Sequence, residues 1–335
     1  MLLVTHDRFI DHDPGRRHPE RPGRLPAVLA GVADIDPYLV ESATAPRRAG
    51  PAELARVHEA ELIASVEALA AAGGGRVDAD TAMNEASLDA AVLAAGAVLT
   101  AVEHVADHRE PAFCAVRPPG HHATAHRSMG FCLFNSVAVA AAALIDGGAR
   151  VAIVDIDAHH GNGTQDIFRA EPRVLYASIH QWPLYPGSGE LSERGSGPGE
   201  GTTINVPVPP GATGDVALAA IDRVIGPALE RFDPDWLLVS AGFDGHRADP
   251  LTGLGYSSAD FADMVARLMS PAGSHRLVVV LEGGYDLGAL RHSAAAVTSV
   301  LTGEAWSRPE KATGGGPGMD VVAAASRIHD EEATR

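Results

Sequence analysis

The chain has 335 residues, of which 46% are apolar, with 26 Lys plus Arg against 43 Asp plus Glu and a formal net charge of −17 at neutral pH. Lys311 is the only lysine, so the basic surface that nucleic-acid binding requires is missing and no nucleic-acid partner is expected. An acidic field of this size attracts cationic ligands such as polyamines or basic protein tails, although it also serves plain solubility.

The N-terminal stretch MLLVTHDRFIDHD has no charged start followed by an apolar run, so no secretion signal is expected. Strand-like runs follow at Leu2 to Thr5, Ala112 to Val116, Val151 to Asp155, Val174 to Ile179, Trp236 to Ser240 and Leu277 to Leu281. Helical patterning covers 23 to 34, 52 to 72, 87 to 107, 135 to 146, 215 to 231, 258 to 269 and 286 to 302, with Pro227 set to kink or end the helix that contains it. Continuous apolar strands alternating with helices predict a parallel sheet covered on both faces, in one large α/β domain. The alanine-rich stretches 86 to 106 and 136 to 146 are interrupted by Asp89, Glu103 and Asp146 and are expected to fall short of a membrane span. Only Cys114 and Cys132 occur, consistent with reduced thiols in a cytoplasmic protein that binds no membrane. Between Gln181 and Thr202 a Gly, Pro and Ser-rich loop carries Trp182 and Tyr185, which favour an ordered pocket wall over a linker. Beyond residue 302, Gly314 to Gly316 reads as a joint and Met319 to Ile328 as one last short helix.

The polar residues of interest follow the strands. Val151 to Val154 runs into Asp155-Ile156-Asp157-Ala158-His159-His160-Gly161-Asn162. A strand end points alternate side chains to one side, so Asp155 and Asp157 share a face and His159 can join Asp157 on one centre. Asp244, just past Trp236 to Ser240, supplies a third ligand, and two carboxylates with one imidazole suit zinc with a position left for water. His121-His122 follows the stiff Arg117-Pro118-Pro119-Gly120, where a turn lets both rings flank one cavity and exchange protons near neutral pH. Each needs a partner on its far nitrogen, and Asp155 and Asn162 are the available groups. Tyr285, after Gly283-Gly284, is placed to hydrogen-bond a carbonyl oxygen as it becomes an oxyanion. Four strand ends therefore feed one crevice beyond the carboxyl edge of the sheet.

The motifs RPPGHH, GFCLFNSVAVAA, VDIDAHHGNGTQ, SAGFDGHRADPL and LEGGYDL, preceded by HPERPGR at 18 to 24, follow in this order. Together they resemble the zinc-dependent histone deacetylase family, in particular its class II branch with bacterial relatives. The resemblance implies an arginase/deacetylase-like three-layer α/β/α fold with a central, mostly parallel sheet of about eight strands. It also implies one catalytic domain over 1–302 followed by an extension at 303–335. By the same resemblance, Asp157, His159 and Asp244 hold one zinc ion. His122 is the general base and acid, His121 its charged companion, Asp155 and Asn162 their respective partners, and Tyr285 the catalytic phenol. Asn162, where class I members carry Asp, makes His122 less basic. Gly130, Phe131, Tyr185 and Leu251 match positions of the substrate tunnel. Asp155, Asp157, His159 and Ser178 match those of a structural K+ or Na+ site, and Arg24 the arginine of an internal acetate channel.

The expected activity is zinc-dependent removal of acetyl or related acyl groups from lysine side chains of peptides or proteins. The alternative is hydrolysis of acetylpolyamines. Leu251 stands where a glutamate guards the tunnel of polyamine-selective relatives, which favours the lysine reading. A binding protein without turnover would have no use for His121, His122 and Tyr285 together.

Overall fold

The protein is described by a computed structural model that covers residues 1–269, 276–305 and 309–333. Its strands are β1 (Leu2–Val4), β2 (Glu41–Ala43), β3 (Gly74–Arg76), β4 (Ala82–Asn84), β5 (Ala112–Cys114), β6 (Val151–Asp155), β7 (Val174–Gln181), β8 (Thr203–Val208), β9 (Trp236–Ala241) and β10 (Leu277–Leu281). Eight of them form one sheet in the order β2-β1-β5-β10-β9-β6-β7-β8, and every ladder in it is parallel. β3 and β4 make a separate antiparallel hairpin. All six strands read from the sequence are present. β2 and β8 were not anticipated, and they are the two outermost strands.

The helices are α1 (Arg24–Val32), α2 (Pro51–Leu54), α3 (Ala60–Ala71), α4 (Ser87–His108), α5 (Ser136–Asp146), α6 (Asn162–Phe168), α7 (Gly214–Ala220), α8 (Gly226–Phe232), α9 (Ser258–Met269), α10 (Leu287–Thr302) and α11 (Met319–Ala333). α4 and α5 pack on each other and on the central strands, while α1, α10, α9 and α7 pack in succession as the other layer. The central strands are apolar throughout because both faces are covered, as in β10, where all five residues are buried. Segment 52–72 is two helices rather than one, and α7 joins α8 through a wider turn at Ile221–Ile225, with Pro227 in the first turn of α8. The backbone stays right-handed helical through that turn, so Pro227 lies inside a continuous helical run, just after the wider turn that breaks the α-type bonding pattern. By length and hydropathy α4 does reach that of a membrane span, contrary to the expectation for this stretch, but most of it is buried inside the protein.

The chain beyond residue 302 is fastened to the main body. Glu310 pairs with His246 at 2.7 Å and with Arg247 at 2.6 Å, Thr313 Oγ1 donates to Asp260, and α11 packs against β8 and α7.

Candidate active site

β5, β10, β9 and β6 are consecutive in the sheet, so the loops leaving their carboxyl ends necessarily meet. Asp157, His159 and Asp244 each bring one donor atom to within 4.8 Å of the others, and all three are buried. His159 Nδ1 lies 2.9 Å from Asp244 Oδ2 and 3.1 Å from Asp157 Oδ1. Backbone amides fix the carboxylates: Ala158 N–H donates to Asp244 Oδ1, while His159 and Gly283 N–H donate to the two oxygens of Asp157, each at 2.8 Å. Neither aspartate caps a helix. Burial opposes charge on His159, yet Asp244 and Asp157 outweigh it and raise its pKa to about 10. The centre thus demands positive charge. Two pinned carboxylates and an imidazole fit a divalent ion of the zinc type with a coordination position to spare.

Glycine makes this approach possible. A Cβ on Gly242 would lie 1.8 Å from Asp157 Oδ2, and one on Gly283 would lie 2.3 Å from Asp244 Oδ2. Ser178 is the in-register neighbour of Asp155 across β6 and β7, and its hydroxyl bonds His180 Nδ1 at 2.9 Å.

The tandem histidines stand above this centre with ring centroids 4.1 Å apart. His121 Nδ1 bonds Asp155 Oδ2 at 3.0 Å, and His122 Nδ1 bonds Asn162 Oδ1 at 2.8 Å, the pairing the sequence suggests. Burial opposes charge on His121, but Asp155 and Asp157 prevail and hold its pKa well above the usual range. Burial and the positive charges of His121 and His159 push His122 well below it. One ring therefore favours its protonated form and its neighbour the neutral form. Gly130, at φ 57°, permits this arrangement, because a Cβ there would sit 2.4 Å from the His122 ring.

A chamber of about 200 Å3 opens onto these groups, lined by His122, His159, Gly130, Phe131, Leu184, Tyr185, Leu251, Tyr285 and Asp80. Tyr185 meets the His122 ring edge-on at 5.1 Å, and Phe131 meets Tyr285 edge-on at 5.8 Å. Burial, with the Asp244 charge, raises the Tyr285 pKa well above its usual value, which keeps the phenol an O–H donor. Leu251 sits at the rim, 36% exposed.

Two participants, Glu282 and Asp249, were not anticipated. Glu282 is buried and accepts from Gly120 N at 2.7 Å, His121 N at 3.2 Å and Ser240 Oγ at 3.2 Å, so it pins the histidine turn. Asp249 accepts from Tyr285 N at 2.7 Å and Leu251 N at 3.0 Å. Arg24 is fully buried and donates to Gly284 O at 2.6 Å, Glu282 O at 2.5 Å and Glu20 at 2.9 Å, bracing the turn that carries Tyr285. Cys132 lies with His121 and Glu282, but those two are already committed to Asp155 and to the Gly120–His121 amides. His160 bonds Ser188 and Gln165, which ties the 182–202 loop to α6.

The histone deacetylase domain family matches residues 18–301 of this chain. The chain belongs to the histone deacetylase family. It is 38% identical over 309 residues to a probable deacetylase of Archaeoglobus fulgidus, covering 90% of this chain and 86% of that protein. It is 38% identical over 292 residues to a histone deacetylase-like amidohydrolase of Pseudomonas aeruginosa, covering 85% and 76%. The crystal structure of the HDA15 HD domain superposes with a TM-score of 0.91 at 37% identity, covering 98% of this chain and 94% of that one. Membership in this family makes the chain a hydrolase of the deacetylase and amidohydrolase kind.

Proposed function

We propose that the protein hydrolyses the side-chain amide of acetylated, or related acylated, lysine in peptides or proteins, with zinc held by Asp157, His159 and Asp244. The observation that carries this reading is the chamber itself. It brings a metal-donor imidazole, a neutral buried imidazole and a buried phenol to one narrow space behind aromatic walls. Bound zinc would supply Lewis-acid polarisation of the amide carbonyl and acidify water.

The chain's own groups account for the remaining steps. Phe131 and Tyr185 sheathe the aliphatic lysine stem, and Leu251 borders its entry. His122, kept neutral and oriented by Asn162, takes a proton from the attacking water at its free Nε2. The Tyr285 phenol donates to the carbonyl oxygen as it gains negative charge. His121, a cation fixed by Asp155 and Glu282, stabilises the same developing charge. The proton on His122 then passes to the departing amine, and acetate leaving past Arg24 belongs to this reading. Asp155 and Ser178, adjacent across two strands, would hold K+ or Na+ together with main-chain oxygens of Asp157 and His159.

The second reading, hydrolysis of acetylpolyamines, draws support from the net charge of −17 and from Asp80 in the chamber wall. The test compares a fluorogenic acetyl-lysine peptide with N-acetylputrescine, with and without a hydroxamate chelator. Chelator-sensitive turnover of the peptide is expected. A large preference for N-acetylputrescine would select the second reading, and inactivity on both by the metal-loaded protein would remove both.

A further inference from the structure

A second hollow adjoins the tunnel mouth. Arg16, Arg17, Arg21 and Asp13 line a basin of about 470 Å3 that shares Leu251 and Tyr285 with the chamber. The three arginines are exposed, and none of their guanidinium groups has an ion-pair or hydrogen-bond partner among the described residues. Asp13 is the only acid in that lining, and its Oδ1 already accepts from Gly15 N at 2.9 Å. A chain of net charge −17 thus concentrates three free cations against one acid beside its substrate entrance.

The segment that carries them is held in place. His18 bonds the Asp80 carbonyl through Nε2 at 2.9 Å and lies edge-on to Phe131 with centroids 4.5 Å apart. Two residues on, Glu20 is buried between Arg24 at 2.9 Å and Arg117 at 2.5 Å. Arg17 has φ 71°, a conformation uncommon outside Gly, Asn and Asp, which a merely solubilising arginine does not need.

We propose that this basin is a carboxylate subsite of the tunnel mouth, and that it selects acetyl-lysine peptides bearing Asp or Glu beside the acetylated residue. The proposal rests on the deacetylase reading of the chamber and specifies its substrate class. Guanidinium forks match carboxylates in bidentate geometry. With the lysine stem in the chamber, the flanking residues of the peptide lie at the mouth, where Leu251 divides chamber from basin. A polyamine would instead bring a second cation out toward three arginines. The overall acidity of the chain does not offset this, because salt limits electrostatic reach to about 8 Å at physiological ionic strength and local charge decides.

The test uses the metal-loaded full chain and one acetyl-lysine peptide with Glu, Gln or Lys on both sides of the acetylated residue. At about 50 mM salt, kcat/KM should rank Glu over Gln over Lys, with Glu over Lys on the order of tenfold, as a few exposed ion pairs supply. The ratio should shrink as salt rises. Arg16→Gln, Arg17→Asn and Arg21→Gln should each lower it, and the triple variant should bring it near one. Asn at position 17 tolerates the left-handed backbone, and the ratio is read within each variant, so changes in absolute rate do not enter. Equal rates on the three peptides, preference for the Lys peptide, or an unchanged ratio in the triple variant would each overturn the subsite while leaving the deacetylase reading intact. No turnover of the Gln peptide would overturn that reading, and the subsite with it.

Discussion

Gly283→Ala tests the metal centre without touching a ligand. The new Cβ would lie 2.3 Å from Asp244 Oδ2 and 2.6 Å from Asp157 Oδ2. The nearer oxygen must retreat from 2.3 Å to at least 3.0 Å, by about 0.7 Å, before the contact resembles any real one. It cannot swing away freely, since Ala158 N–H pins Asp244 and the Gly283 amide itself pins Asp157. Displacements approaching 1 Å cost on the order of a hundredfold in a positioned site, and disturbing the surroundings of metal ligands costs roughly 10- to 100-fold in affinity. We expect metal content after dialysis to fall sharply, and kcat/KM on an acetyl-lysine peptide to fall on the order of a hundredfold even with metal resupplied. Gly288→Ala is the control, because its Cβ meets only Asp286 Oδ1, at 3.3 Å. The reasoning fails if Gly283→Ala binds zinc as the parent does and keeps its turnover.

Three further outcomes are expected. Tyr285→Phe should lower kcat about a hundredfold or more, as loss of an oxyanion donor does, with metal content unchanged; parental turnover would remove the phenol from the chemistry. Asn162→Asp places a carboxylate on His122 Nδ1 and raises a pKa that burial and the charges of His121 and His159 now hold low. Because His122 must be unprotonated to act as base, the acid limb of the kcat/KM profile should move to higher pH, and a limb that stays put or moves lower would contradict the assignment. Glu282→Gln keeps one acceptor oxygen but loses the carboxylate form that Glu282, its pKa raised by burial to about 7, takes up above neutrality, where its bonds to the Gly120 and His121 amides belong to a class worth roughly 1.5–3 kcal/mol. kcat should fall on the order of tenfold, by the same energy arithmetic, with KM and metal content little changed; a loss confined to KM would place Glu282 outside the histidine turn.

The centre of the fold was legible because its signals are local. An apolar run ending in Asp155-Ile156-Asp157-Ala158-His159 carries its own geometry, since period-two alternation sets Asp155 and Asp157 on one face. The sheet edges were less legible. Thr203–Val208 contains Asn205 and Pro207 and follows a glycine-rich loop, and Pro207 is accommodated because β8 is outermost. Segment 52–72 reads as one helix, but the Glu59 amide bonds the Ala125 carbonyl at 2.9 Å and His58 Nδ1 bonds Thr124 O at 2.9 Å, so a tertiary contact breaks the helix there. Glu282 and Asp249 stood inside quoted motifs without a role. Apart from Ser240 Oγ on Glu282, their partners are backbone amides, and the two amides that Glu282 holds lie more than 160 positions away, a relationship that side-chain type does not announce.

The division of labour between the two histidines follows from where the strands place carboxylates. Asp155, Asp157, Asp244 and Glu282 are all buried at the carboxyl ends of neighbouring strands. Burial raises the pKa of Asp155, Asp244 and Glu282, the last to about 7, so negative charge persists there only with positive charge and hydrogen bonds nearby. His121 faces Asp155 at 3.0 Å and Asp157 at 3.8 Å, and it answers that demand by holding a proton. His122, beside that cation and hydrogen-bonded to a neutral amide, is driven the opposite way. Two adjacent residues of one type thereby have their pKa values driven in opposite directions. The same carboxylates draw His159 toward its protonated form, with Asp244 at 2.9 Å and Asp157 at 3.1 Å, so the place they enclose favours a cation. The lowered pKa of His122 and the cation-favouring place between Asp157, His159 and Asp244 therefore arise from one arrangement of charge.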